Sequence, residues 1–146
     1  MGAGGRLALN VFTYGSLMYP QVWDRVVRGR YRSVSARVSG YRRLAVRDES
    51  YPGVVARAGS VVDGRLYFDV SDEDLARLDA FETDEYHRQE VQAQLLEPGG
   101  GAVGAQLYVF VRAELLSGQD WDADRFVREQ LADFVARHTS RGAATG

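Results

Sequence analysis

Glu82 is the residue whose type and spacing point most directly to chemistry. It ends the segment LARLDAFE (residues 75–82), and at about 100° per residue a helix would place Leu75, Leu78 and Glu82 on one stripe. The leucines predict that this stripe faces the interior, where an unpaired carboxylate is destabilising or takes up a proton near neutral pH. Glu82 is therefore a candidate proton donor or acceptor. The alternative is a helix-terminal carboxylate paired with an arginine such as Arg88.

The segment FTYGSLM (residues 12–18) is a second candidate. Gly15 follows a predicted strand and lets backbone N–H groups converge, and the helix predicted after it would add further donors. Such a turn could bind a carboxylate or an oxyanion, and the alternative is an ordinary strand-to-helix turn. Acyl hydrolysis by Ser16 is a weaker hypothesis, because the Gly-x-Ser-x-Gly elbow is absent and no motif places a histidine beside Ser16.

The composition narrows the class of protein. Of 146 residues, 45% are hydrophobic and 26% are charged, with a formal net charge of −2, which predicts one soluble domain with no global field to attract nucleic acid or an anionic membrane. There is no cysteine, and the two histidines, His87 and His138, are isolated and expected to be surface or structural residues, so no metal or cofactor is expected. The composition leaves a small neutral or zwitterionic molecule as a possible ligand. No long apolar stretch is present, which favours the cytoplasm.

The elements that must position these residues begin with a strand at 7–14 and a helix that starts at Pro20 and stops at Gly29. Residues 31–62 predict two to four short strands. Asp63-Gly64 predicts a two-residue hairpin turn, after which Leu66, Phe68 and Val70 would line a buried face.

The second half starts with a helix capped by Ser71 and continued by three acidic residues, 72–74. Strands at 86–96 and 103–111 are expected to pair as a hairpin around the turn at 97–101. An amphipathic helix at about 122–138 closes the domain, with its apolar side formed by Phe126, Val127, Leu131, Phe134 and Val135. We predict one domain over residues 7–138, with residues 1–6 and 139–146 disordered. The fold class is α+β with a curled or barrel-like sheet.

Five short segments together resemble the γ-glutamylcyclotransferase-like family, in particular its AIG2-like branch. The resemblance covers about residues 9–112, and the segments occur in the family's order and approximate spacing. They are FTYGSLM (12–18), YPGVV (51–55), VDGRLY (62–67), LDAFE (78–82) followed by DEYHR (84–88), and AQLYV (105–109).

The resemblance implies a small mixed β-barrel with flanking helices, a Tyr-Gly-Ser-Leu loop that holds the substrate, and Glu82 as the proton acceptor. The expected reaction is cyclisation of a γ-glutamyl amine or peptide to 5-oxoproline and a free amine. Thr83 stands where the family commonly has glycine. The alternative is a non-catalytic small-molecule-binding domain of the same fold. The expected substrate-binding residues are Tyr14, Gly15, Ser16, Leu17, Met18, Tyr19, Tyr86, Arg88 and Tyr108.

Overall fold

The structure is a computed structural model that describes residues 8–138. The tails predicted to be disordered, residues 1–6 and 139–146, lie outside the described residues, as does residue 7. Within the described part, no helix has both the length and the apolar character needed to cross a membrane.

Six strands form one mixed sheet: β1 (Ala8–Thr13), β2 (Ser33–Val46), β3 (Pro52–Ser71), β4 (Tyr86–Leu95), β5 (Ala102–Phe110) and β6 (Leu116–Asp120). The strand order is β3-β1-β5-β4-β2-β6, and a further pairing of β2 with β3 closes the sheet into a ring. The β1–β5 pair is parallel and the other pairs are antiparallel. The predicted α+β class with a curled sheet is confirmed, and so is the β4–β5 hairpin.

Strands β2 and β3 differ most from the sequence prediction. Instead of two to four short strands, they form two long ones that pair along most of their length and turn at residues 47–51. The predicted hairpin turn at Asp63-Gly64 is wrong, because both residues lie inside β3, opposite Arg37 and Ala36. A Cβ at Gly64 would lie 2.0 Å from the carbonyl oxygen of Thr13, so glycine is required for close backbone approach.

The prediction that Leu66, Phe68 and Val70 share one buried face is also wrong. Leu66 belongs to a cluster of strand side chains, whereas Val70 packs in the cluster shared with the helices. Asp69 between them has φ +55°, and the β1–β3 register shifts there. A bulge therefore breaks the two-residue alternation and moves Val70 to the other face.

Helix α1 (Pro20–Val26) begins with a proline at its first turn, as predicted, but ends before Gly29. Helix α2 (Asp72–Glu82) is confirmed: the Ser71 side chain accepts a hydrogen bond from the Asp74 N–H. The side chains of Leu75 and Leu78, on α2, are buried, so the stripe that ends at Glu82 does face inward.

The C-terminal helix has three parts: α3 (Ala123–Arg125), a π-helical turn (Phe126–Gln130) and α4 (Leu131–His138). The apolar side was predicted correctly for Phe126, Leu131 and Phe134, which are buried, but Val127 is 47% exposed. The wider π turn changes the angular spacing of side chains, so a pattern read at the α-helical period misplaces Val127.

Candidate active site

A pocket of about 240 Å³ opens where β1 ends, between that strand end and the C-terminal end of α2. Its walls come from the end of β1 with the segment after it, the start of β3 with the residue before it, the end of α2 with the turn that follows, the strands β4 and β5, and α4. The lining residues are Phe12, Thr13, Tyr14, Gly15, Ser16, Leu17, Tyr51, Pro52, Phe81, Glu82, Thr83, Glu85, Tyr86, Tyr108, Phe134 and His138.

Glu82 lies on the wall of this pocket at the last turn of α2. Its carboxyl group has no hydrogen bond or ion pair within residues 8–138, and the protein around it raises its pKa to about 8. Burial is the largest cause, followed by the negative charges of Asp79 and Glu85. A carboxyl group with such a pKa can exchange a proton near neutral pH.

Arg88 does not pair with Glu82, so the alternative of a structural Glu82–Arg88 ion pair is wrong. Its guanidinium instead donates to both Asp79 carboxylate oxygens, at 2.8 and 3.2 Å, and to Gln106. The Tyr108 hydroxyl donates to Asp79 Oδ1 at 2.7 Å. Because Arg88 forms its ion pair with Asp79, Glu82, one turn further along α2, has no cation as a partner among residues 8–138. Arg88 does not line the pocket.

The segment after β1 forms a short 3₁₀ turn (Ser16–Met18). The N–H groups of Met18 and Tyr19 bond to the carbonyls of Gly15 and Ser16, and neither Met18 nor Tyr19 lines the pocket. The backbone N–H groups of Gly15, Ser16 and Leu17 have no hydrogen-bond partner in the described part of the chain. Three donors therefore remain for a ligand at the pocket wall.

Three tyrosines predicted to bind substrate line the pocket as neutral hydroxyls. The Tyr14 hydroxyl donates to the Tyr108 carbonyl at 2.6 Å, and the Tyr86 hydroxyl donates to the Pro52 carbonyl at 2.8 Å. Burial raises the pKa of Tyr14, Tyr86 and Tyr108 above the usual value, and the Glu82 charge adds to this for all three. Their hydroxyls are thus fixed hydrogen-bonding groups and do not serve as bases.

Ser16 is buried at the pocket wall. Within residues 8–138, no histidine or carboxylate hydrogen-bonds to its side chain, and the chain contains no lysine. The structure therefore gives no geometric support to Ser16 as an activated nucleophile.

Sequence reasoning missed several pocket residues, notably Asp79 behind the wall and Tyr51, Glu85, Phe134 and His138 on it. His138, expected to be a surface or structural residue, stacks on Phe134 with ring centroids 4.3 Å apart. Burial lowers its pKa. The YPGVV and DEYHR segments carried a signal for Tyr51 and Glu85, whereas nothing local indicated that the last helix closes the pocket.

Thr83 ends α2 with φ +65°, a conformation that a β-branched residue adopts rarely and glycine adopts readily. Its hydroxyl donates to the Glu82 carbonyl and accepts from the Glu85 N–H at 3.3 Å. Glycine would adopt this backbone conformation without strain, and Thr83 holds the turn with the help of two hydrogen bonds.

The chain is similar in sequence and fold to several known proteins. The chain is 29% identical over 128 residues to AIG2-like protein D of Arabidopsis thaliana, covering 86% of this chain and 84% of that protein. A solution structure of another Arabidopsis thaliana protein is similar, with a TM-score of 0.70, 26% identity and coverage of 88% of this chain and 78% of that one. A yeast γ-glutamyl cyclotransferase specific to glutathione shares the fold, with a TM-score of 0.60, 13% identity and coverage of 90% and 88%.

The sequence model of one family, described as γ-glutamyl cyclotransferase, AIG2-like, matches residues 11–123. This range holds the end of β1, the loop after it, all of α2 and both strands of the β4–β5 hairpin. The chain therefore belongs to the γ-glutamyl cyclotransferase, AIG2-like family.

Proposed function

We propose that this protein is a γ-glutamyl cyclotransferase that converts a γ-glutamyl amine or peptide into 5-oxoproline and a free amine. The observation that carries the proposal is Glu82: a carboxyl group with no partner in the described residues, on a pocket wall, with its pKa raised to about 8. Membership of the family and the shared fold of a glutathione-specific yeast enzyme support the same reaction.

The reaction starts with proton transfer to Glu82. In its ionised form, the Glu82 carboxylate takes a proton from the substrate's α-ammonium group, and the freed amine attacks its own γ-carbonyl carbon. A C–N bond forms, the carbonyl oxygen becomes an oxyanion, and the five-membered ring closes within one molecule. Because the attack is intramolecular, the main task of the pocket is to hold the substrate bent, which removes much of the entropic barrier.

Collapse of the oxyanion breaks the bond to the leaving amine. As that bond breaks, Glu82 returns its proton to the departing nitrogen. It then takes a second proton from the ring nitrogen and passes it to the freed amine, so that two protons in all move from the α-nitrogen to the leaving group. The ring nitrogen keeps one hydrogen, and the product amine leaves as an ammonium ion. The N–H groups of Gly15, Ser16 and Leu17 are the donors available for the α-carboxylate or the oxyanion.

The raised pKa matches this double role. A proton acceptor with an ordinary carboxyl pKa would hold the proton too weakly to take it from an ammonium group, whereas a group that titrates near pH 8 is closer in basicity to both nitrogens. The α-ammonium group brings its own positive charge to the pocket, which favours the ionised form of Glu82 once substrate is bound.

The test is a mass-spectrometric screen of γ-glutamyl amines and dipeptides for 5-oxoproline. The wild-type protein should release it from at least one member, and Glu82→Gln should lower kcat by about 10²- to 10⁴-fold with the fold intact. Asp84→Asn is the matched control, because Asp84 is exposed two residues further on. Binding without turnover by the wild type would favour the non-catalytic alternative, and full activity of Glu82→Gln would remove Glu82 from the mechanism.

A further inference from the structure

Arg43, on β2, is a cation close to the candidate substrate loop (residues 14–17) but outside the pocket lining. Its side chain is partly buried, and its Cζ lies 5.2 Å from the centre of the Trp121 ring, a cation–π distance. Burial lowers its pKa, against the raising effect of nearby Tyr19, Asp63, Asp120 and Tyr14. Such a charge is costly to bury, so the contacts that it makes need a reason.

No carboxylate forms an ion pair with Arg43 among residues 8–138. The two acids whose charges act on Arg43 form ion pairs with other arginines. Asp63 pairs with Arg37 at 2.6 Å, and Asp120 pairs with Arg42 at 3.0 Å. Arg43 Nη1 donates instead to backbone carbonyls, to Tyr14 at 2.8 Å and to Asp63 at 3.4 Å. The shorter of these bonds ties the guanidinium to the first peptide of the substrate loop.

That bond fixes the direction of an N–H group as well. In a trans peptide the C=O and the N–H point in opposite directions. With the Tyr14 carbonyl directed at Arg43, the Gly15 N–H of the same peptide is directed away from it. Gly15 lines the pocket, and its N–H has no partner in the described residues. The guanidinium also polarises the peptide, which makes the N–H a stronger donor.

Close packing also constrains this peptide. A Cβ at Gly15 would lie 2.9 Å from the ring carbons Cδ and Cγ of Pro52. A rigid proline ring therefore packs against Gly15, while a charged donor holds the Tyr14 carbonyl. A fixed donor suits an anion because little reorganisation is needed when the anion binds.

We propose that Arg43 is a positioning residue: it orients the Tyr14–Gly15 peptide so that the Gly15 N–H donates to the substrate's α-carboxylate. The inference rests on the proposed function and adds to it a residue that does not touch the substrate. It also accounts for the missing counter-ion, because the bound carboxylate supplies a negative charge on the far side of the same peptide.

Arg43→Met tests the inference, since methionine keeps apolar contact with Trp121 but loses the charge and the donors. We expect KM for a γ-glutamyl substrate to rise about 10- to 100-fold, with kcat changed by less than about threefold. Arg42→Met is the matched control: Arg42 is the preceding residue, points to the opposite face of the strand and pairs with Asp120. It should leave KM unchanged.

A second substrate separates positioning from general damage. When the α-carboxylate is replaced by an α-carboxamide, the anion is absent, so wild type and Arg43→Met should differ in KM by less than about threefold. Equal KM increases on both substrates, or an unchanged KM on the natural one, would overturn the inference. If circular dichroism shows Arg43→Met unfolded, Arg43→Gln, which lacks the charge but can still donate to the Tyr14 carbonyl, replaces it, with the same two outcomes and a smaller expected rise.

The same assays keep the two proposals apart. A wild type that releases no 5-oxoproline from any substrate refutes the proposed function, and the inference with it. A wild type that turns over while Arg43→Met keeps the wild-type KM refutes the inference alone.

Discussion

Asp74 and Glu82 lie on the same helix, α2, and they differ in the hydrogen-bond donors that surround them. Asp74, in the first turn, accepts hydrogen bonds from the Arg28 and Gly29 N–H groups, the Tyr31 hydroxyl and the Arg77 guanidinium. Although burial alone would raise its pKa, these donors lower it to about 2. Glu82, in the last turn, has no such donor within residues 8–138, and its pKa rises to about 8.

The helix itself increases the contrast. Its positive N-terminal end stabilises a negative charge at Asp74, and its negative C-terminal end destabilises one at Glu82. Asp79, between them, shows that a cation was available near Glu82: Arg88 pairs with Asp79 instead. Asp74 is thus a carboxylate that stays ionised near neutral pH and stabilises the fold, whereas Glu82 can gain or lose a proton at the pocket wall.

Removing the satisfied carboxylate should have the largest effect on stability. Asp74→Asn keeps the shape but replaces one acceptor with a donor, so several of the four donors lose their partner. We expect the free energy of unfolding to fall by about 3 kcal/mol at pH 7. Chemical denaturation measures the change, and Asp84→Asn, at an exposed acid, is the control that should change little.

The pH dependence of the same variant sharpens the comparison. The Asp74 pKa is depressed in the folded state, so its contribution is present above the ordinary carboxyl pKa and is lost as the pH falls towards 2. The stability difference between wild type and Asp74→Asn should therefore shrink as the pH falls from about 4 to about 2. A difference that is constant over this range would contradict the hydrogen-bonded charge.

Glu82→Gln should act on stability with the opposite sign. The Glu82 pKa is raised in the folded state, so ionisation costs stability as the pH rises from the ordinary carboxyl value through about 8. Wild type and Glu82→Gln should be equally stable below about pH 4, and the variant should be more stable by about 1–3 kcal/mol near pH 9, allowing for partial solvent exposure. Parallel stability curves over this range would show that Glu82 titrates normally.

Thr83→Gly should give the smallest change, because two effects partly cancel. Glycine removes the strain of φ +65° at a β-branched residue, and it also loses both hydroxyl hydrogen bonds. We expect a net stabilisation of about 1 kcal/mol by denaturation. Thr83→Ala keeps the positive φ without the hydroxyl and should destabilise, so equal effects of the two variants would show that the backbone conformation is not the cause.

Local patterns were sufficient for α2 and for the residue at its end. The Ser71 cap, the acidic first turn and the three-and-four spacing of Leu75, Leu78 and Glu82 are all properties of neighbouring residues. The hairpin of β4 and β5 was equally predictable from its alternating apolar pattern and its glycine-rich turn.

The rest depends on contacts between distant residues. From its neighbours alone, Gly64 is typical of a turn. Its actual role is to let the carbonyl of Thr13, about fifty positions away in the sequence, approach the backbone closely. Arg88 could pair with either Asp79 or Glu82 by sequence distance, and the sheet register decides for Asp79. Strand β6 and the closure of the pocket by His138 are likewise set by what the C-terminal segments pack against.

The pKa of Glu82 is the most direct test of its role as a proton acceptor. Carbon-13 NMR of the side-chain carboxyl groups in labelled protein follows the titration of Glu82 from about pH 4 to about pH 10, a range that includes the ordinary glutamate pKa and the raised one. The Glu82→Gln variant assigns the signal. We expect a midpoint near 8. A midpoint at the ordinary glutamate value would mean that the pocket does not hold back the charge, and Glu82 would lose the property on which its role as proton acceptor depends.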